Sequence, residues 1–358
     1  MTVTDKPGLL TNELFVAALH DGIDSATERI FIQVMTFDGD RAGIGVAERL
    51  VAAAKRGVDV RLTVDIFAFR YVSDTRVTEY EVQDEVRETH AMFDRLEAAG
   101  VDVTYVGPWG PMLAFVAIRH HKKIFVIDDT AYLGGINVSD HNFAWFDFVV
   151  SLKDPMVVGE LVDDFHATRR GERSARAGAI VTNTCIEERF DAVISSAEHS
   201  ILIVSPYALD APLSRLLAAA NAREKVVVTP QRLNSVLLRW AAEYVRERVQ
   251  KAGVDLQTMP DFFHAKFVLV DGQRLLVGSS NFGRHSFRCN QEVCVEIDDR
   301  ACIEALMESL PETQPIDFTP SRFGRVRGFV VESGLGLAIT VLEKLAVNRV
   351  PVLASRKS

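Results

Sequence analysis

The feature that most constrains this chain is a pattern written twice. His121-Lys122-Lys123-Ile124-Phe125-Val126-Ile127-Asp128 and His264-Ala265-Lys266-Phe267-Val268-Leu269-Val270-Asp271 both read His-x-Lys, four apolar residues, Asp. Each is followed by a small-residue turn ending in Asn, Gly134-Gly135-Ile136-Asn137 and Gly278-Ser279-Ser280-Asn281. Four apolar residues between polar bounds predict a short strand buried on both faces. Residues two apart on a strand share a face, so each His points the same way as its Lys, and Lys122 or Ala265 points the other way.

The surroundings of the motifs repeat as well. Residues 29–34 and 200–204 predict buried strands, each after an amphipathic helix at about 11–27 and 185–198. Ala99-Gly100-Val101-Asp102-Val103 recurs as Ala252-Gly253-Val254-Asp255-Leu256, each time after a long helical segment that ends at Gly. Further strands are predicted at 57–62 and 225–228. Helices alternating with short apolar strands indicate an α/β fold of two similar lobes with mixed sheets. A chain of 358 residues suits two such cores. The expected division is 1–172 and 173–319, joined where Arg, Gly, Glu and Ser replace the apolar pattern near 169–178, with a C-terminal segment at 320–358.

Composition narrows the function. With 48% hydrophobic and 25% charged residues the chain is globular and not disordered. Its 40 basic and 49 acidic side chains give net −9, so no global field favours a polyanion, although a local basic cleft is compatible with that balance. Cys185, Cys289, Cys294 and Cys302 lack metal-ligand spacing and are read as buried thiols in a reducing compartment. Residues 1–14 hold no signal-peptide core, and no run of about 20 apolar residues could span a bilayer. The expected location is cytoplasmic, with any membrane contact peripheral at the inner face.

Two segments break the symmetry. Gly100 to His121 is 21 positions and Gly253 to His264 is 11, so the first half carries an insertion around residues 107–118. Its front is a Pro/Gly loop and its back is apolar, either an extra packed strand or a hydrophobic lip for acyl chains. From Pro320 onward seven basic residues face two acidic ones, mixed with Val331, Leu335, Leu337, Ile339, Leu342 and Leu345. That is either a helix packed on its own domain with arginines at the rim, or a surface for an anionic membrane.

Two His, two Lys and two Asn converging on one site would set cations and neutral donors around a tetrahedral anion. This suits a phosphodiester: Lys123, Lys266, Asn137 and Asn281 neutralise nonbridging oxygens as charge builds. One neutral imidazole can attack phosphorus, and a protonated one can hand its proton to the leaving alkoxide. Each His also needs a carboxylate to fix its tautomer. Asp147 and Glu292, 26 and 28 positions downstream of His121 and His264, are the candidates; the other reading is a solvated acid at a strand end. Asp128 and Asp271 belong to the candidate catalytic set as motif members, yet at strand ends they are better placed for a turn or a structural pairing. No metal spacing is evident.

These residues resemble the phospholipase D superfamily, over roughly residues 10–300. The resemblance implies two α/β lobes related by a pseudo-twofold with the active site at their interface. It also implies a covalent phosphohistidine intermediate and no metal or other cofactor. The match is nearest to bacterial cardiolipin synthases. Ala53-Ala54-Lys55-Arg56-Gly57-Val58-Asp59-Val60-Arg61-Leu62 with Asp65 is similar to their helix-Gly-strand segment, and Arg119-His120-His121-Lys122-Lys123 to their Arg-x-His-Arg-Lys. Asn281, Ser286, Phe287, Asn290 and Glu292 match their Asn-x4-Ser-Phe-x2-Asn-x-Glu, whereas His285 replaces a usual Arg and Gly283 a common Asp. By resemblance His121 is the nucleophile and His264 the general acid, then base; the near symmetry of the motifs leaves that order open. The implied activity is a phosphatidyltransferase on phospholipids, with a phospholipase D hydrolase, a nuclease of the same superfamily or a non-catalytic scaffold as alternatives. The apolar 107–118 segment and net acidity count against nucleic acid as partner. Phospholipid is the expected partner, met through the C-terminal segment or residues 107–118.

Overall fold

The computed structural model describes residues 6–66, 79–107, 118–207, 210–231, 233, 236–316, 318, 321–345 and 352–354. The chain divides into two units, residues 1–174 with 348–358, and residues 175–347.

In the first unit the motif run Ile124–Ile127 forms strand β5, buried at every position. The unit's other strands are β1 (Gly8–Thr11), β2 (Arg29–Val34), β3 (Asp59–Asp65), β4 (Asp102–Val106), β6 (Thr130–Gly134) and β7 (Phe148–Leu152). Their order is β1-β7-β6-β5-β2-β3-β4, and the strand Val352–Ala354 adds to the β4 edge. β2, β3 and β4 run parallel, while β5 joins β2 antiparallel and continues antiparallel through β6, β7 and β1. The sheet is therefore mixed, as the sequence implies.

Alternation on the strands assigns the two faces. Ile30, Ile32, Val34, Phe125 and Ile127 join a core with Phe15, Leu19 and Ile23 of the helix Asn12–Ser25 and Leu50 of the helix Arg41–Lys55. Phe31, on the other face of β2, stacks on Phe165 of the helix Pro155–Arg169, with ring centroids 5.1 Å apart. Asp154 starts that helix by accepting from Met156 N and Val157 N, and Pro155 occupies a position where no N–H is needed.

The second unit repeats this order. Its strands are β8 (Ile180–Thr182), β9 (Ser200–Val204), β10 (Glu224–Val228), β11 (Asp255–Thr258), β12 (Phe267–Val270), β13 (Arg274–Gly278), β14 (Val293–Ile297) and β15 (Gln314–Pro315). The sheet reads β8-β14-β13-β12-β9-β10-β11 with β15 at the last edge. Again the first three parallel strands are followed by an antiparallel set that begins with the motif strand. The helices Asn12–Ser25 and Thr184–Ser195 lie within a few residues of the predicted bounds. Gly100 and Gly253, predicted to end helices, have φ of +92° and +75°, values that glycine adopts without steric cost.

The C-terminal segment is not one body. The helix Arg322–Leu345 belongs to the second unit, where Tyr244 of the helix Val236–Lys251 meets Phe329 edge-on at 5.5 Å and Arg327 lies over Trp240 at 4.9 Å. The strand Val352–Ala354 instead pairs antiparallel with β4 of the first unit. The two pieces thus belong to different units. Of the insertion at 107–118, residues 108–117 lie outside the described residues. The four cysteines are free thiols, with Cys289, Cys294 and Cys302 buried. Among the described residues no helix is long and apolar enough to cross a membrane.

Candidate active site

In the first unit the chain enters β5 through Arg119, His120, His121, Lys122 and Lys123, all buried. Strand alternation sends Lys122 toward the helix Pro155–Arg169, where its Nζ meets Asp164 Oδ2 at 2.6 Å. Lys123 turns the opposite way, and its Nζ donates to the carbonyl of His121 at 2.7 Å, tying the two motif residues together. Asn137, after the Gly-rich turn, is less available than its position suggests. Its Oδ1 accepts from Thr36 N at 3.3 Å and its Nδ2 donates to Asn142 Oδ1 at 3.2 Å. Asp147 is buried immediately before β7. Its N–H donates to Asn12 Oδ1 at 2.9 Å, and its Oδ1 accepts from Phe148 N at 2.8 Å. The carboxylate lies so close to Gly135 that a Cβ there would be 2.3 Å from Oδ2.

The second unit builds the same arrangement with different neighbours. Lys266 Nζ donates to the carbonyl of His264. Glu292 is fully buried, and its N–H donates to Asn183 Oδ1 at 3.0 Å, as Asp147 does to Asn12. Ser279 stands where the first unit has Gly135, and its hydroxyl donates to Glu292 Oε2 at 2.5 Å. Ser286 donates to Glu292 Oε1, and Asn290 Nδ2 donates to the same oxygen at 3.4 Å. Ser286 Oγ also accepts from Asn281 N at 3.1 Å, so carboxylate and motif Asn are held by one hydroxyl. The Asn281 carboxamide is spared the bonds that occupy Asn137: its Oδ1 is buried with no hydrogen-bond partner among the described residues.

Asp128 and Asp271 do a different job. Asp128 accepts from the N–H groups of Thr27, Glu28 and Arg29 at 2.9–3.0 Å, and Asp271 from those of Glu198, His199 and Ser200 at 2.7–3.0 Å. Both residues have positive φ, +46° and +53°, as a turn at the strand end requires. Burial by itself would raise both carboxyls; the three backbone N–H groups outweigh it and hold each below the usual carboxylate range. These bonds tie each acid to the turn that leads into β2 or β9, which is a scaffold role.

Beside its His-Lys pair the first unit has further polar contacts. Asp65, at the end of β3, accepts from His120 N at 2.7 Å and pairs with Arg119 at 3.3 Å. Gln33 Nε2 lies 3.2 Å from His120 Nε2. Burial, then the nearby charges of Lys122 and Lys123, hold His120 well below its ordinary pKa, so the ring is neutral. In the second unit the corresponding residues by strand order are Phe262, Phe263 and Val204.

Among the described residues, one trio could present three ligand atoms to a metal within 4.8 Å: Asp38, Asp40 and His141. Asp40 is already occupied, since it caps the helix Arg41–Lys55 at Gly43 N and accepts from Asp140 N. None of the motif residues belongs to that trio.

The residues missed by sequence reasoning are Asn12, Asn183 and the hydroxyl role of Ser279 and Ser286. The dipeptides Thr11-Asn12 and Thr182-Asn183, at matching places before the first helix of each unit, were the available signal.

Comparison with known proteins agrees with this organisation. A family profile described as a cardiolipin synthase, PLD-like domain matches residues 19–169 and 190–312. A cardiolipin synthase from a Geobacillus species is 24% identical, over 89% of this chain and 68% of its own length. The major cardiolipin synthase of Bacillus subtilis is 25% identical, over 87% of this chain and 71% of its own. Among solved structures, phosphatidylserine synthase from Haemophilus influenzae superposes with a TM-score of 0.66 at 14% identity, covering 95% of this chain and 94% of that one, a likeness of fold. The duplicated sheet, the two His-Lys pairs with their buried lysines and the family match lead to one assignment: the chain belongs to the cardiolipin synthase family of phospholipase D-like domains, enzymes of the phosphatidyltransferase kind.

Proposed function

We propose that this protein transfers a phosphatidyl group between alcohols on phospholipids through a covalent phosphohistidine, in the manner of a cardiolipin synthase. The observation that carries the reading is the duplicated half-site: each unit presents one His whose carbonyl is clamped by a buried Lys. The chemistry asks for one imidazole as nucleophile and a second as proton carrier, and each unit supplies one. A ring nitrogen of His121 attacks phosphorus; the P–O bond to the departing alcohol breaks, and His264 as imidazolium gives the alkoxide its proton. A hydroxyl of a second lipid then loses its proton to neutral His264 and attacks phosphorus, and the P–N bond breaks. Lys123, Lys266 and Asn281 would carry the charge on the nonbridging oxygens. The cardiolipin synthases among its relatives support a phospholipid substrate, and attachment to the membrane is proposed to be peripheral.

The test offers the purified chain phosphatidylglycerol vesicles and, separately, single-stranded DNA. Lipid turnover that vanishes in His121→Ala supports the reading. DNA cleavage with inert lipid would sink it, and release of phosphatidic acid with no transfer would make the enzyme a hydrolase. Acid-labile label trapped on His264 and not on His121 reverses the assignment of nucleophile.

A further inference from the structure

We propose that the outward face of the C-terminal helix Arg322–Leu345 docks this protein on a bilayer bearing anionic head groups. The inference rests on the reading above that the substrate is a membrane phospholipid, and it names the surface that brings the enzyme to it.

The inner face of the helix is pinned. At Gly328 the approach is so close that a Cβ would lie 2.6 Å from Trp240 O and 2.9 Å from Tyr244 N. Glu332 is buried, accepts from Ala211 N at 2.9 Å and pairs with Arg284; Glu343 pairs with Arg288 at 3.7 Å. Glu332 is thus turned inward, and Glu343, half-exposed, is paired with Arg288 on the flank away from the outward face.

The outer face is apolar. Phe323, Val326, Val330, Leu337 and Val341 are 74%, 64%, 61%, 68% and 52% exposed. At about 100° per residue they fall within an arc of about 60°, a continuous stripe of about 27 Å along the helix axis. Ser333, Gly334 and Thr340 border the stripe, and Arg322 and Lys344 mark its two ends; no acidic residue lies on this face. Among the described residues neither Arg322 nor Lys344 has a carboxylate within ion-pair distance.

Charge decides the occupant. A second copy laid on the stripe would bring basic ends against basic ends, whether parallel or antiparallel. Anionic head groups would instead neutralise both ends while the stripe enters the acyl boundary, about 5–10 Å deep. The stripe is one-sided and the helix too polar to span a bilayer, so it lies on the surface.

The test uses the full chain and phosphatidylcholine vesicles with or without phosphatidylglycerol. Replacing Phe323, Val330 and Leu337 together by Ser removes groups that are mostly exposed, with the Arg327–Phe323 contact at 5.8 Å lost as well, and thermal melting verifies that the fold is kept. The expected result is at least about a tenfold fall in vesicle partitioning, with turnover of monomeric short-chain phosphatidylglycerol unchanged. Arg322→Gln and Lys344→Gln should each weaken binding about fivefold, and only to vesicles that contain phosphatidylglycerol. Undiminished sedimentation of the triple variant overturns the proposal, as does a wild-type dimer that dissociates in the triple variant without any vesicle binding. Vesicle binding through the stripe by a protein inert toward short-chain lipid would refute the proposed activity and leave the docking face standing.

Discussion

Lys122, the residue between the motif His and Lys, should matter for stability and not for chemistry. Its Nζ and the Asp164 carboxylate are both 0% exposed and lie 2.6 Å apart, with the Ser174 hydroxyl donating to the other Asp164 oxygen. Removing one partner strands the other charge in the interior, at a cost of about 3–5 kcal/mol. For a unit of this size that lowers Tm by about 6–20 °C. Lys122→Met and Asp164→Leu should each do this. The double variant should recover to within about 1 kcal/mol of wild type or exceed it, because an apolar pair of similar volume needs no desolvation. The second unit indicates that an apolar solution exists, since Ala265 occupies the equivalent position. Scanning calorimetry on the four proteins gives the coupling directly, and lipid turnover is followed in parallel. Activity in the double variant should match wild type, because Lys122 points away from the face shared by His121 and Lys123. A double variant as unstable as the single ones would refute the energetic argument. A stable but inactive one would refute the geometric one.

Three more outcomes are expected. Asp128→Asn and Asp271→Asn should each cost stability at neutral pH; since both carboxyls titrate below their ordinary range when folded, the gap to wild type should close only as pH falls through that lowered range in acid melts. His120 is held neutral, so below about pH 6.5 the unfolded chain gains a proton that the folded chain refuses, and stability falls by about 1.4 kcal/mol per pH unit from this group alone. Gln33→Val with His120→Phe, which copies the second unit, should flatten that slope in melts between pH 6.5 and 5; an unchanged slope would contradict it. Gly135→Ala should abolish turnover, because its Cβ would meet Asp147 at 2.3 Å, whereas Ser279→Ala at the matching position should lower kcat about 10–100-fold with the fold intact.

Legibility in the sequence followed the range over which each feature is determined. The motif strands, their flanking helices and the mixed sheet were readable because hydrophobic period and turn residues act within a few positions. The short edge strands Gly8–Thr11 and Ile180–Thr182 were not, since three or four residues at a sheet edge show no period. Asp128 and Asp271 could be suspected of a structural role from their place at strand ends. Asn12 and Asn183 were signalled only by the repeated Thr-Asn, and an Asn at a helix start normally signals a cap. Here each Asn instead receives an N–H from a residue more than a hundred positions away. The C-terminal helix gave its composition but not which side was packed, and the meaning of its exposed valines depends wholly on that.

The two His-Lys pairs sit on one scaffold used twice, with different neighbours. Where the first has Gly135 and the short Asp147, the second has Ser279 and the longer Glu292; side-chain length and backbone clearance have changed together. A Ser at 135 would collide with Asp147, and an Asp at 292 would lose the reach to Ser279 and Ser286. The extra cations beside His121 arrive with their own acids, Arg119 with Asp65 and Lys122 with Asp164, so Lys123 is the lysine turned toward the face of His121. A nucleophilic imidazole has to be neutral to attack, while its partner has to begin protonated. Divergence confined to the neighbours of two otherwise equivalent His-Lys pairs is the form that such a division of labour would take.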